Sequence, residues 1–240
     1  MCCRYLLLRE DLTEVFDGFG LTTPPEFVSR YNLAPGELIP AVRTAAPGAK
    51  PEGARLSWGL LPPWASADRA ASRPANARAE TLAAKPSFRE AFRTRRCLLP
   101  ASGFYEWESR GRARQPWLFR TPGARPFCLA GLWESRRLPD GREFETCAIV
   151  TTEANAVVRP IHDRMAVIIA PEDFELWLDP RVTRPEDLAP LLRPAPAAFL
   201  TTARVGQRVN HTAHDDELCL QPPAPSEESA DDPQFNLGLG

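Results

Sequence analysis

The spacing of apolar residues changes period several times along the chain. Tyr5 to Leu8 is a short apolar run, and Cys2 to Leu8 predicts a strand. In the next segment Leu12, Val15 and Phe16 share one helical face, which predicts a helix over Asp11 to Phe16. Pro24-Pro25 breaks that pattern. Arg30 to Gly36 predicts an ordered loop, Glu37 to Arg43 a strand, and residues 45–53 a flexible connection. Leu56, Trp58 and Leu60 alternate, so Arg55 to Trp64 predicts a strand closed by Pro62-Pro63. Ser87 to Thr94 predicts a helix through Phe88, Ala91 and Phe92. Within the stretch Cys97 to Trp107, Phe104 to Trp107 predicts an aromatic strand, with Gly103 before it allowing a bulge or a close approach. More strands are expected at Trp117 to Arg120, Phe127 to Glu134, Glu145 to Thr151 and Ala198 to Val205. Helices are expected at Glu153 to Val158, Pro171 to Leu178 and Pro185 to Leu192, the last two opened by proline. Residues 223–240 are small and acidic and predict a disordered tail after a folded unit over residues 2–222.

Composition narrows the function. The apolar share of 43% supplies a core, and no run approaches a membrane span. Leu6-Leu7-Leu8 is cut short by Arg9 and Glu10, so a cytoplasmic protein without a membrane partner is expected. Six cysteines in such a compartment are expected to stay reduced. They form no Cys-x-x-Cys pair, and the three histidines complete no zinc spacing, so neither metal nor cofactor is expected. The net charge of -2 announces no nucleic-acid binder. Removing the tail acids Glu227, Glu228, Asp231 and Asp232 leaves a slightly basic body. Nearly all the bases are arginine, which suits bidentate phosphate contacts, although codon bias explains such a count as well. Lys50 and Lys85 are the only lysines, so a lysine imine has just two candidate sites.

The chemistry-bearing positions begin at Cys2. Loss of Met1 would leave a cysteine with a free α-amine beside its thiol. The amine condenses with an aldehyde to an imine, and the thiol closes on the same carbon to give a thiazolidine. The two groups titrate near ~8 and ~8.5, so reactive forms exist close to neutral pH. A small buried residue at a strand start is the plainer reading. Trp58 fits the core, whereas Trp64, beyond two prolines, either stacks on a base or lids the core. Asn76 either caps a following short helix or orients a nucleophile or sugar oxygen, with Arg78 placed for a phosphate. In Phe104-Tyr105-Glu106-Trp107, alternation sends Phe104 and Glu106 to one face and Tyr105 and Trp107 to the other. A carboxylate there is either paired with an arginine or raised in pKa, which suits acid–base work. His162 lies between Ile161 and Asp163-Arg164, where a loop histidine can exchange protons near pH 7, although a lone structural histidine is the plainer reading.

Taken in order, these stretches carry a family resemblance. Met-Cys-x-Arg opens the chain; Tyr31-Asn32-Leu33-Ala34-Pro35, Trp58-Gly59-Leu60 and Pro63-Trp64 follow. Next come Asn76-Ala77-Arg78-Ala79-Glu80, Gly103-Phe104-Tyr105-Glu106-Trp107, Ile161-His162-Asp163-Arg164-Met165 and Val209-Asn210. The chain resembles the SRAP family, the SOS-response-associated peptidase or abasic-site processing proteins, from Cys2 to about Pro222. The resemblance implies an α+β fold: a β-rich single domain with a mixed, barrel-like sheet core and short flanking helices. It implies a monomer that binds abasic-site-containing single-stranded DNA in a positively charged cleft and associates with the nucleoid when bound. Cys2, freed by self-removal of Met1, would capture the open-chain aldehyde as a thiazolidine crosslink, with possible strand-cleaving lyase activity. By the same resemblance Asn76 positions the amine or the sugar, Glu106 manages protons on both, and His162 serves the ring oxygen. Arg4 and Arg78 would hold phosphates and Trp64 would stack near the lesion. Asn32, Pro35, Trp58 and Arg164 are further DNA-contact candidates. One departure is Cys3, where the family usually has Gly; its nitrogen is in a peptide bond, so it cannot form a thiazolidine itself. Two other classes remain compatible with these residues. An amidohydrolase would use Cys2 as an N-terminal nucleophile, and a non-catalytic module would bind single strands without crosslinking.

Overall fold

The computed structural model describes residues 3–62, 64–65, 73–110, 113–138 and 141–225. Cys2 and the tail from residue 226 onward lie outside the described residues.

Strand β1 (Tyr5–Leu7) leads into helix α1 (Arg9–Gly18), then β2 (Arg30–Leu33), β3 (Leu38–Arg43), β4 (Glu52–Trp58) and β5 (Asn76–Arg78). Helix α2 (Arg89–Thr94) precedes β6 (Arg96–Ala101), β7 (Gly103–Arg110), β8 (Ala113–Arg120), β9 (Phe127–Arg137) and β10 (Glu143–Glu153). The chain ends with β11 (Arg164–Ala166), β12 (Ile168–Ile169), α3 (Phe174–Leu178), α4 (Pro185–Leu188) and β13 (Thr201–Arg204). Strand β10 pairs with β4, β4 with β3, β3 with β6, β6 with β9, and β9 with β10 again. This ring is a closed barrel, which removes the exposed edges of an open sheet. The short strands β5, β11 and β12 extend it, and a second sheet runs β13-β8-β7-β1-β2. The α+β, barrel-cored architecture expected from the resemblance is the one observed.

Closure demands close approach. A Cβ on Gly131 of β9 would lie 2.6 Å from Cys97 Sγ and 3.0 Å from Leu99 on β6. A larger residue there would press on these two side chains where the strands pair. The main core fills the barrel and the space beneath the second sheet with residues such as Ile39, Leu56, Trp58, Leu98, Leu129 and Ile149. A smaller cluster of Leu6, Tyr105, Leu118, Val205, Val209 and Cys219 covers the other face of the second sheet. Phe104 belongs to the first cluster and Tyr105 to the second, as strand alternation requires.

The chain crosses from barrel to second sheet at Ser102, which is fully buried. Its backbone N–H donates to Leu6 O and its hydroxyl accepts the Leu8 N–H, at 2.9 and 2.8 Å. This seam fixes β1 beside β7 in the register Tyr5↔Phe104 and Leu6↔Gly103.

Three local expectations are corrected. Arg30 to Leu33 is strand rather than loop, because it pairs antiparallel with β1 (Tyr5↔Leu33, Leu7↔Arg30), while Asp215 accepts the Tyr31 and Asn32 N–H groups at 2.6 and 2.8 Å. Asn76 lies within β5 and caps nothing; the 3-10 turn after it starts from Arg78 with no side-chain cap. Residues 153–158 form no helix, because Asn155 Oδ1 accepts the Val157 and Val158 N–H groups and sets an Asx-type turn. Among the described residues no helix is long and apolar enough to cross a membrane, and no metal-ligating cluster occurs.

Candidate active site

The antiparallel register of β1 and β7 builds the site. Tyr5 faces Phe104, so continuing the ladder outward sets position 3 across from Glu106. The Tyr105 N–H to Arg4 O bond of 3.0 Å carries the pairing that far. Cys2 is one peptide unit beyond Cys3, about 3.8 Å between Cα atoms. Asn76 closes on the same point from the barrel side: its Nδ2 donates to Cys3 Sγ at 3.3 Å.

Strand β10 supplies the other wall. It holds β5 in parallel, with Ile149 beside Asn76 and Thr151 beside Arg78, and holds β11 antiparallel, with Glu153 beside Arg164. Asn76 and Arg78 therefore project from one face of β5. The loop bearing His162 enters β11 alongside them.

Glu106 is 1% exposed. Burial raises its carboxyl from the ordinary 4.5 to about 7, and the positive charge of the amino terminus works against that rise. Asp163, next to His162, adds to it. The group is thus poised to take or give a proton at neutral pH. His162 moves the other way: burial lowers its pKa, the amino-terminal charge lowers it further, and Asp163 opposes both. Its Nδ1 accepts the Arg164 backbone N–H at 3.0 Å. Asp163 Oδ1 lies 2.9 Å from the same nitrogen, on a side chain that is 86% exposed. One nitrogen cannot accept and donate at once. The neutral ring uses the backbone bond, which leaves the proton on Nε2; a protonated ring would turn to Asp163.

Asn76 Oδ1 is buried and has no hydrogen-bond partner among the described residues. An acceptor left in that state costs stability unless water, a ligand or another group meets it, which makes it a candidate binding position. Cys3 is partly exposed and its thiol is raised by burial, which keeps it in the poorly nucleophilic protonated form. Cys97, Cys128, Cys147 and Cys219 are buried, and burial raises all four.

The DNA-contact candidates divide. Trp64, 66% exposed, and Arg78 and Pro35, also exposed, are open to a ligand. Trp58 is not, which corrects its place among DNA contacts: it is fully buried, donates Nε1–H to Ala75 O at 2.9 Å and packs edge-on against Tyr5. It holds the strand that carries Asn76. Asn32 is 1% exposed and offers DNA no surface either. Arg4 donates to Asn32 Oδ1 and Val209 O and sits over the Trp107 ring. Arg164 forms a bidentate pair with Glu80 at 2.6 and 2.9 Å and donates to Thr151 O. Sequence reasoning missed the Glu80–Arg164 and Arg4–Asn32 pairs. Both partners of each stand in quoted motifs, but only the fold brings them together.

A family model described as SOS response associated peptidase (SRAP) matches residues 1–212. The Bacillus subtilis (strain 168) protein named abasic site processing protein YoqW is 37% identical over 213 residues, covering 88% of this chain and 94% of that protein. Abasic site processing protein HMCES of Gallus gallus is 30% identical over 191 residues, covering 70% of this chain and 56% of that protein. A Bacteroides thetaiotaomicron protein of known structure shares the fold with a TM-score of 0.82 at 24% identity, over 93% of this chain and 100% of that one. A phage-related protein from Bordetella bronchiseptica gives 0.68 at 28% identity, over 86% and 95%. With a match that spans the barrel, the second sheet and the whole cluster around Glu106, this chain belongs to the SRAP family.

Proposed function

We propose that this protein processes abasic sites by binding single-stranded DNA and trapping the lesion on Cys2 as a thiazolidine. The observation that carries the reading is the buried Glu106, with its pKa near 7, across the ladder from residue 3. An aminothiol one residue away needs such a group, because its ammonium must lose a proton before it can attack.

The steps use this chain's own residues. The closed sugar opens when the bond between C1 and the ring oxygen breaks. His162 Nε2–H protonates that oxygen while the proton of the C1 hydroxyl passes through solvent back to Nε2, which leaves the ring neutral. Glu106 takes a proton from the Cys2 ammonium, and the amine adds to the aldehyde carbon. The carbinolamine loses water, with Glu106 returning the proton to the departing hydroxyl. The Cys2 thiol then adds to the imine carbon, and its proton passes to the nitrogen. Asn76 Oδ1 accepts from the amine or a sugar hydroxyl. Arg78 and Trp64 serve phosphate and base. Arg4, Asn32 and Arg164 act from within the protein, and Pro35 lines the approach.

The test is incubation with an abasic single strand followed by denaturing electrophoresis. A heat-stable shifted band with abasic DNA, absent with intact DNA, is expected. Intact mass of the active protein should show Met1 gone. No shifted band, or activity with Met1 retained, overturns the reading.

A further inference from the structure

Asn32 is buried in β2 and makes more directed contacts than its own strand requires. Its Oδ1 accepts from Arg4 Nη1 at 2.8 Å. Its Nδ2 lies 3.1, 3.1 and 2.8 Å from the carbonyl oxygens of Val209, His211 and His214. Arg4 reaches the same segment, donating to Val209 O at 2.6 Å, and stacks its guanidinium over Trp107 at 5.6 Å. Trp107 in turn donates Nε1–H to Asn210 Oδ1 at 2.6 Å. Asp215 ties the segment to the β2 backbone through Tyr31 and Asn32. A strap over residues 207–216 is thereby fastened to β2 both through Asp215 and at the Asn32 amide, and the side chain clasped between strap and amide belongs to Arg4.

Arg4 lies two residues from Cys2, the amino-terminal residue that the proposed reaction uses. The ladder from β1 reaches Arg4 O and no further backbone bond beyond it is shown among the described residues. The clasped guanidinium is one tie on the direction of the chain past that point, beside the Asn76 Nδ2 bond to Cys3 Sγ. The Nη1 donors of Arg4 are committed to Asn32 Oδ1 and Val209 O, and Nη2 lies 3.5 Å from Asn210 O, so these donors are not offered to a phosphate.

We infer that Asn32 is a positioning residue: acting through Arg4 and the 207–216 strap, it sets where the amino-terminal aminothiol lies relative to Glu106 and Asn76. The inference rests on the crosslinking function proposed above. It concerns geometry and leaves the intrinsic chemistry of the aminothiol alone.

The experiment compares Asn32→Ala, Arg4→Met and the double variant with wild type, each full chain released from a cleavable fusion so that Cys2 is the first residue. Three rates or affinities are read: crosslinking at saturating abasic single strand, affinity for intact single strand, and thiazolidine formation with free glycolaldehyde. Wild type failing to crosslink refutes the proposed function itself. With wild type active, each single variant should slow crosslinking about 10-fold or more, since small misplacement of a reacting group is costly. The double variant should be no slower than either single one, the non-additivity of residues acting as one unit. Affinity for intact DNA should stay within about twofold of wild type, because it does not need the aligned geometry, and the glycolaldehyde rate should fall less than crosslinking, because a freely diffusing aldehyde can follow a displaced aminothiol and a DNA-held lesion cannot. If Asn32→Ala does not fold, Arg4→Met alone decides. Weaker binding to intact DNA with an unchanged saturating rate would make Arg4 a phosphate contact and overturn the inference. A glycolaldehyde rate that falls in step with crosslinking would overturn it too.

Discussion

With its pKa near 7, Glu106 is partly ionised at the pH where an aminothiol must be deprotonated. Two outcomes follow from one shift. The crosslinking rate should climb through about pH 7 in wild type, and Glu106→Gln should lose that limb and fall by about 10²–10⁴. The linkage to stability has the opposite sense. The native carboxyl holds its proton up to about 7 while the unfolded one releases it near 4.5, so native protein binds more protons between those values. Wild-type stability should therefore decline as pH rises from 4.5 to 7, by up to about 3 kcal/mol. Thermal melts across pH should show this slope in wild type and not in Glu106→Gln. A flat wild-type profile would mean the carboxylate is comfortably solvated. His162 should behave differently. Its lowered pKa keeps the ring neutral at pH 7 with the proton on Nε2. His162→Ala should slow crosslinking by about 10²–10⁴ with affinity for intact DNA unchanged. A substrate analogue with the aldehyde already open should react with that variant at nearly the wild-type rate. A deficit of equal size on the open aldehyde would remove His162 from ring opening.

At the scale of elements, the site depends on two strands doing unusual amounts of holding. Strand β10 is a member of the barrel and also carries β5 and β11, so it sets Asn76 and the His162 loop at once. Strand β1 is three residues long and is kept in register by the Ser102 seam. The barrel itself closes through Gly131, and Gly131→Ala should cost about 1–3 kcal/mol by overpacking against Cys97 and Leu99, read as a lower midpoint in urea. An unchanged midpoint would mean β6 can give way. Strands β3, β4, β9 and β10 are legible in the sequence because apolar residues run or alternate along them, whereas β6 holds only Cys, Leu, Pro and Ala after Arg96 and carries no strand-favouring side chain. The faces of Phe104 to Trp107 are legible too, through simple alternation. Strand β2 is not, because its partners, β1 and Asp215, are distant in the chain, and no local pattern encodes them. Asn76 has the residue type and position of a cap, yet it sits in a strand that exists only because β10 offers it an edge. The residue types at the site could be read in advance. What their neighbours do, as with Arg164 held by Glu80 and Trp58 turned to Ala75, depends on the assembled sheets.

Over the whole molecule, net charge gives no hint of DNA, and the formal value of -2 includes the acids of the tail. The account therefore places binding in local groups: Arg78 on the face of β5 shared with Asn76, and the exposed Trp64. Binding should weaken with salt, and Arg78→Ala should reduce the slope of log affinity against log salt by about 0.7, the value for one phosphate of a single strand. That variant should bind abasic and intact strands equally less well. Single-stranded DNA should bind better than duplex, because a stacked lesion cannot reach a residue beside Cys3. Equal affinity for duplex, or no response to salt, would be incompatible with this placement. Cys3 fits the same picture as a protonated neighbour that touches Asn76 without competing for the aldehyde. Cys3→Gly should retain crosslinking at the wild-type rate or faster.

The central claim is that the Cys2 thiol closes the final ring, and one measurement addresses it directly: the rate of heat-stable adduct formation on abasic single-stranded DNA by Cys2→Ala beside wild type. The account predicts a stable adduct from wild type and none from Cys2→Ala, whose α-amine can form at most a transient imine that only a reductant traps. A heat-stable adduct from Cys2→Ala at the wild-type rate, without reductant, would contradict it.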